Sequence, residues 1–498
     1  MVLFNVDEAA FAAGAVRTLE TGAPILAQIR DNKPPGIFLP YVAAFAAQGP
    51  YAMGSVRVLA LMIVLATSAI LFAAGSAGGN RTVGAVAAGA YLLLTSLSPD
   101  FLALKTELLA NLPLAAAAWL AIAALARGSA WRAGWSGAAV AAAFLCRQPA
   151  ALAAVALGAG IAASGWARFG RARGAALAAA FGLGGLLLLG AVIAWYAARG
   201  ALADFLLQTV WLALDLGRVS VVSPARRLIR AVTYAEEYAG MAQFTGFLAL
   251  AGLGLLAFSR QARAAVSPHA GGAFAAVAVF LAVGCHAAFV SAPDIFSSYP
   301  VMLFVPFSLA LGAAAAMLFA PVPWRAAPAA HRAVLAACCA LAVAAGAVRA
   351  LKEPVKHWLE GSRPEADALV DAMAAARRPG DALFVWGYDP TLYLLAGLRP
   401  ATRFTVPLSV IGADGATGRA GGGQPGRLYL EPGAWDVLMD ELARERPRFI
   451  VDTGLMTYKV RAPLAAYPRL ADFVAGGYEA VASRARDGAT LYRRRADQ

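Results

Sequence analysis

Stretches rich in Ala and Leu, each long enough to cross a bilayer, recur from Val56 to Arg349, and nothing else in the sequence constrains the fold so strongly. Backbone immersed in hydrocarbon must satisfy its own hydrogen bonds, so such stretches are expected to be helices. The composition agrees. Hydrophobic residues make up 60% of the 498, charged residues 14%, and mean hydropathy is +0.64, which is more apolar than a soluble globular chain. The expected fold is a polytopic α-helical membrane protein with a C-terminal extracytoplasmic α/β domain.

Spanning-length windows place helices near Val56–Gly75, Val83–Leu97, Leu108–Ala126, Gly134–Cys146, Ala150–Gly165 and Ala175–Ala198. Four more are expected near Phe244–Phe258, Gly272–Ser291, Val301–Ala320 and Ala333–Val348, about ten in all. Arg147-Gln148-Pro149 falls where two short helices should meet, because a charge at that depth must face protein or water. Alternate loops carry Arg81, then Arg127 and Arg132, then Arg168, Arg171 and Arg173, then Arg260 and Arg263, then Arg325 and Arg332. By the positive-inside rule these loops are cytoplasmic. Residues 1–55, the intervening loops and the tail after Arg349 then share the outer compartment. The formal charge of +13 is thus read as a determinant of orientation and not as a nucleic-acid surface.

The tail changes character. Pro364–Arg377, Trp435–Arg446 and Leu464–Val474 read as helices. Asp381–Trp386, Arg448–Val451, Tyr478–Ser483 and Thr490–Arg493 read as strands, which predicts a small, mostly parallel α/β layer. The expected domains are therefore 1–55, 56–349 and 350–498. Gly412–Gly426 reads as a loop. Its GADGATG is not a phosphate cradle, because more Gly and a Pro follow where a helix should begin. Val451-Asp452-Thr453-Gly454 resembles an aspartic-protease loop, but no second copy supplies the partner carboxylate. Cys146, Cys285, Cys338 and Cys339 and the four His show no metal-ligand spacing. The first residues lack the basic and apolar regions of a cleavable signal peptide.

The candidates for chemistry are the charges at the outer surface. In IRDNKPPGIF, Asn32 is expected to cap a helix with Pro34 in its first turn, leaving Lys33 at the helix's positive end, where an anion would meet both the ammonium and unpaired amides. The same residues also suit a turn with an interfacial lysine. Asp7 and Glu8 open a short amphipathic helix; they either stabilise its start or place a carboxylate where it can take a proton from a hydroxyl. Glu107 lies just inside an apolar run beside Asp100 and Lys105. It either lines the site with Asp7 or pairs with Arg147 to tie helices together.

An Asp-Glu followed by Lys-Pro-Pro resembles the GT-C superfamily of membrane glycosyltransferases, in the branch of bacterial protein O-mannosyltransferases and the aminoarabinose transferase. The likeness extends to Thr106-Glu107, to Arg147-Gln148, and to Asp381–Gly387 with Tyr393. The resemblance implies Asp7 as general base and Lys33 as a contact to the donor phosphate; beside them, Glu8, Asp31 and Glu107 are read as supporting acids and Arg147 as a further phosphate contact. It implies a sugar on a polyprenyl phosphate as donor, inversion at the anomeric carbon, and a lipid, glycan or protein hydroxyl as acceptor. The setting would be a bacterial inner membrane with the tail periplasmic. A divalent metal near Asp7 and Glu107 is compatible with the acids, although no spacing specifies one. Two departures stand out: the helix that usually precedes the Asp-Glu is reduced to MVLFNV, and Ser298-Tyr299 replaces a late His-Tyr. A transporter or lipid flippase is the alternative reading, but neither an internal repeat nor acids at the midplane support it. A third is a non-catalytic membrane protein in which the tail binds polysaccharide.

Overall fold

The computed structural model describes residues 5–96, 98–214, 260, 264, 270–291, 298–319, 367–411, 431, 433–455, 461–485 and 487–496. The chain forms two compact units. One combines Met1–Val56, Tyr196–Val221 and Gly361–Gln498; the other combines Arg57–Trp195 and Val222–Glu360.

The first unit begins with α1 (Val6–Thr21). Asn5 caps it by accepting from the Asp7 amide at 2.9 Å, and the Glu8 carboxylate accepts from the Asn5 amide at 3.3 Å, which completes a capping box. Such a cap is worth about 1 kcal/mol. Gly22 ends the helix with φ +64°, a left-handed conformation that suits glycine. The apolar face of α1 packs on α2 (Phe38–Gln48), with the Phe11 ring edge-on to Phe38 at 5.5 Å. Gly14 permits a close approach, since a Cβ there would sit 2.6 Å from Ile29 Cδ1.

The second unit is helical. It comprises most of α3 (Met53–Gly78), then α4 (Arg81–Ser96), α5 (Pro99–Leu102), α6 (Thr106–Arg127), α7 (Ala130–Cys146), α8 (Ala150–Phe169) and most of α9 (Arg171–Ala198). After α10 (Leu202–Leu206), which belongs to the first unit, α11 (Gly271–Ser291) and α12 (Phe304–Phe319) complete the described helices of the second. Among the described residues, α3, α6, α8, α9 and α11 are long and apolar enough to span a membrane. Eight of the ten expected helices are present. The remaining two, Phe244–Phe258 and Ala333–Val348, lie outside the described residues, as do Cys338, Cys339 and Gly412–Gly426. The break at Arg147-Gln148-Pro149 is where it was expected, between α7 and α8.

The tail folds as an α/β layer in the first unit. Its helices are α13 (Ala368–Ala376), α14 (Thr391–Ala396), α15 (Leu408–Ile411), α16 (Ala434–Glu445) and α17 (Pro468–Gly477). Its strands are β1 (Ala382–Trp386), β2 (Arg399–Pro400), β3 (Phe449–Asp452), β4 (Tyr478–Arg484) and β5 (Ala489–Arg494), in the order β2-β1-β3-β5-β4. The sheet is mixed and not mostly parallel: β1 pairs parallel with β2 and β3, whereas β5 runs antiparallel to β3 and β4. The short turn from β4 to β5 closes a hairpin, which imposes antiparallel pairing. Pro468 divides the expected Leu464–Val474 helix into a 3-10 turn and α17. Alternate residues of β1 face two cores. Phe384 and Trp386 pack with Leu438 and Ile450 on one face, and Leu383 and Val385 pack with Tyr393 and Ala13 of α1 on the other.

Candidate functional site

The first unit holds Asp7, Glu8, Asp31 and Lys33. Asp7 sits half-buried in the first turn of α1, while Glu8 is fully buried and engaged in the capping box. Asp31 and Lys33 are half-buried in the segment before α2. Pro34 is extended, with ψ 163°, and precedes one 3-10 turn, Pro35–Ile37; α2 begins only at Phe38. Asn32 is therefore not the cap that the sequence suggested. Its side-chain oxygen accepts from Lys33 Nζ at 2.7 Å, and consecutive prolines leave too few amides there to start a helix. Lys33 thus precedes the helix and is oriented by Asn32. Burial pushes the Asp31 carboxyl above the usual carboxylate range, and the Lys33 charge and the Asn32 amide partly offset this.

This segment is held from behind. The Asp31 amide donates to Gln208 Oε1 at 3.1 Å, and Gln208 Nε2 donates to the Leu26 carbonyl at 2.6 Å. Gln208 is fully buried in a π-helical turn, Leu207–Trp211, a distortion that often accompanies functional sites. The Arg30 guanidinium pairs with Asp204 at 2.8 Å and with Glu431 at 2.9 Å. Sequence reading missed Gln208 and Arg30. An amide inside the apolar run Leu202–Leu214 was the available signal for Gln208.

The second unit holds Glu107 and Arg147, which form a buried ion pair. Arg147 follows the last turn of α7, and Glu107 lies in the first turn of α6. Arg147 also donates to Thr106 Oγ1 at 3.1 Å and lies 4.3 Å over the Tyr299 ring. Its Nε has no hydrogen-bond partner among the described residues. Nearby in the chain, Lys105 Nζ contacts Asp100 at 2.6 Å. The helix-tying pair considered from sequence is therefore present, and Tyr299 joins it. Asn111, one turn beyond Glu107 on α6, donates to the Val301 carbonyl at 2.8 Å and so fixes the turn that carries Tyr299.

Two tail motifs have structural roles. The Asp452 carboxylate accepts from the Gly454 and Leu464 amides at 2.8 and 3.0 Å, so VDTG forms a loop closure. The Tyr393 hydroxyl accepts from the Val385 amide at 3.0 Å. Among the described residues no three His, Cys, Asp or Glu side chains gather as metal ligands, and Glu107 is committed to Arg147.

No family model and no curated protein matches the sequence. The likeness is one of fold alone. The chain superposes on ArnT from Cupriavidus metallidurans in the apo state with a TM-score of 0.53 at 14% identity, covering 98% of this chain and 93% of that one. A second overlap is with the oligosaccharyltransferase of Archaeoglobus fulgidus tethered to an acceptor peptide, with a TM-score of 0.49 at 12% identity over 98% of this chain and 70% of that one.

Proposed function

We propose that the protein is an inverting glycosyltransferase that moves a sugar from a polyprenyl-phosphate donor to a hydroxyl acceptor at the outer face of the membrane. The observation that carries this reading is the superposition on ArnT, an aminoarabinose transferase, over nearly the full length of both chains. Fold by itself does not assign a reaction; the charges described above supply the chemistry.

The Asp7 carboxylate takes the proton of the acceptor hydroxyl as its oxygen attacks the anomeric carbon from the face opposite the phosphate. The bond from that carbon to the phosphate oxygen breaks, and the lipid phosphate leaves with an added negative charge. Attack from the opposite face inverts the centre. Lys33, oriented by Asn32, neutralises the leaving phosphate. In the helical unit, Arg147 is a proposed phosphate contact in its own right through its Nε, which has no partner among the described residues, a buried donor whose desolvation a phosphate oxygen would offset. Asp31, whose carboxyl interacts electrostatically with the Lys33 ammonium, helps to hold that charge in place. Glu8 holds the start of α1 and so positions Asp7. Glu107 holds Arg147. The outer leaflet, the periplasmic tail and a lipid, glycan or protein acceptor complete the proposal.

Asp7→Asn and Lys33→Ala should each reduce transfer by at least about 100-fold, the lower range for a positioned acid-base group, while the protein inserts normally. Membranes carrying equal amounts of each variant, assayed by mass spectrometry for the transferred sugar, provide the test. Wild-type transfer by Asp7→Asn would remove the base assignment.

A further inference from the structure

We propose that the end of the helical unit where α6 turns into α7 and α8 into α9 seats the headgroups of anionic glycerophospholipids. This rests on the unit spanning a membrane and is independent of the transfer reaction. The two turns carry Arg127, Arg132, Arg168, Arg171 and Arg173, and the sequence from Leu108 to Ala203 contains no Asp or Glu. Four of these arginines are exposed and Arg132 is half-exposed. The turns are tied together. Arg173 donates to the Gly128 carbonyl, from Nε at 2.9 Å and from a second guanidinium nitrogen. A Cβ at Gly128 would lie 3.5 Å from the Phe169 ring. Guanidinium groups gathered at two tied turns, in a stretch of sequence without Asp or Glu, favour a phosphate anion, which arginine binds through paired donors.

The aromatic residues select lipid over other polyanions. Trp131 and Trp135 are 73% and 51% exposed, one turn apart on α7, and form an edge-to-face pair at 5.4 Å. Trp166, near the end of α8, is 52% exposed. Indoles at the ends of apolar helices place an apolar body among acyl chains and an N–H among headgroups. A nucleic acid or an acidic protein would use the arginines but leave these rings without a partner.

The test uses the full-length protein in detergent micelles doped with phosphatidylglycerol or phosphatidylcholine, with retained lipid counted by native mass spectrometry. Wild-type protein should retain phosphatidylglycerol selectively. The triple variant R127Q/R168Q/R171Q should lose about 100-fold in affinity, and R127K/R168K/R171K, which keeps the charge but not the paired donors, should lose less than the Gln triple. Equal retention of both lipids, or undiminished retention by the Gln triple, would overturn the proposal. Displacement of the lipid by soluble glycerol phosphate would reassign the seat to free phosphate and also overturn it. If the Gln triple does not accumulate, a salt titration of wild-type protein decides: retention that does not weaken with rising salt contradicts an ionic headgroup seat.

Discussion

The Arg147 guanidinium is buried between Glu107, Thr106 and Tyr299. Removing the carboxylate leaves that charge uncompensated, whereas removing both members leaves an apolar site. Glu107→Leu should therefore destabilise the protein by about 3–5 kcal/mol, and Glu107→Leu with Arg147→Met should recover most of that. Thermal unfolding in detergent measures the difference. If Arg147 also contacts the donor phosphate, the double variant stays inactive despite its recovered stability. Asp31 gives a pH-dependent result. Its carboxyl is raised in the folded state, mainly by burial, so the folded protein holds that proton more tightly. Stability then falls as pH rises from about 4, the unfolded value, through the folded value. Asp31→Asn should match wild type below that window and exceed it in melting temperature above it, as a pH series of unfolding curves would show. At this scale Asp7, Lys33, Glu107 and Arg147 stand out in the sequence, because charges ahead of or inside apolar runs demand a reason, whereas Arg30 does not. Tyr299 and Gln208 do not stand out either, since tyrosine and glutamine have ordinary roles at membrane surfaces and only the folded chain shows what they touch.

At the scale of elements, apolar length and breaker residues located eight helices between Val56 and Arg349, the tail helices α13, α16 and α17, and four of the five strands. Residue pattern does not give strand direction; the short connection between β4 and β5, which permits only antiparallel pairing, does. Nor does residue pattern reveal the two-residue β2, which exists only because β1 lies beside it. The offset of α2 from Lys33 was missed for a different reason. One proline fits a first helical turn, but the pair extends the chain before helix can start. Glycines mark another contact that periodicity hides. A Cβ on Gly137 of α7 would collide with the Phe181 carbonyl of α9, and one on Gly184 of α9 with the Gly134 carbonyl. Small residues at these crossings let the two backbones touch. Gly137→Val should force α7 and α9 apart and lower the melting temperature, whereas Gly182→Val, where nothing lies within 4 Å, should leave it unchanged. A thermal scan of the two variants side by side measures this.

For the whole molecule, the unit that carries Asp7 and Lys33 is assembled from three distant stretches of chain. Arg17 of α1 donates to the Pro400 and Ala401 carbonyls and to Glu441 of α16, all buried. The helix that presents the proposed base is thus anchored to the α/β layer. Arg17→Ala removes that donor from the Pro400 and Ala401 carbonyls, at about 1–3 kcal/mol each, while Glu441 keeps Arg403, and should speed amide exchange in β2 and α16. The central claim is that this molecule breaks a sugar–phosphate bond. The direct measurement reconstitutes purified protein in liposomes with a polyprenyl-phosphate sugar and quantifies released polyprenyl phosphate. The account predicts release in step with sugar transfer for wild type and its loss in Asp7→Asn. Movement of the intact lipid-linked sugar across the bilayer, with no phosphate released, would contradict it.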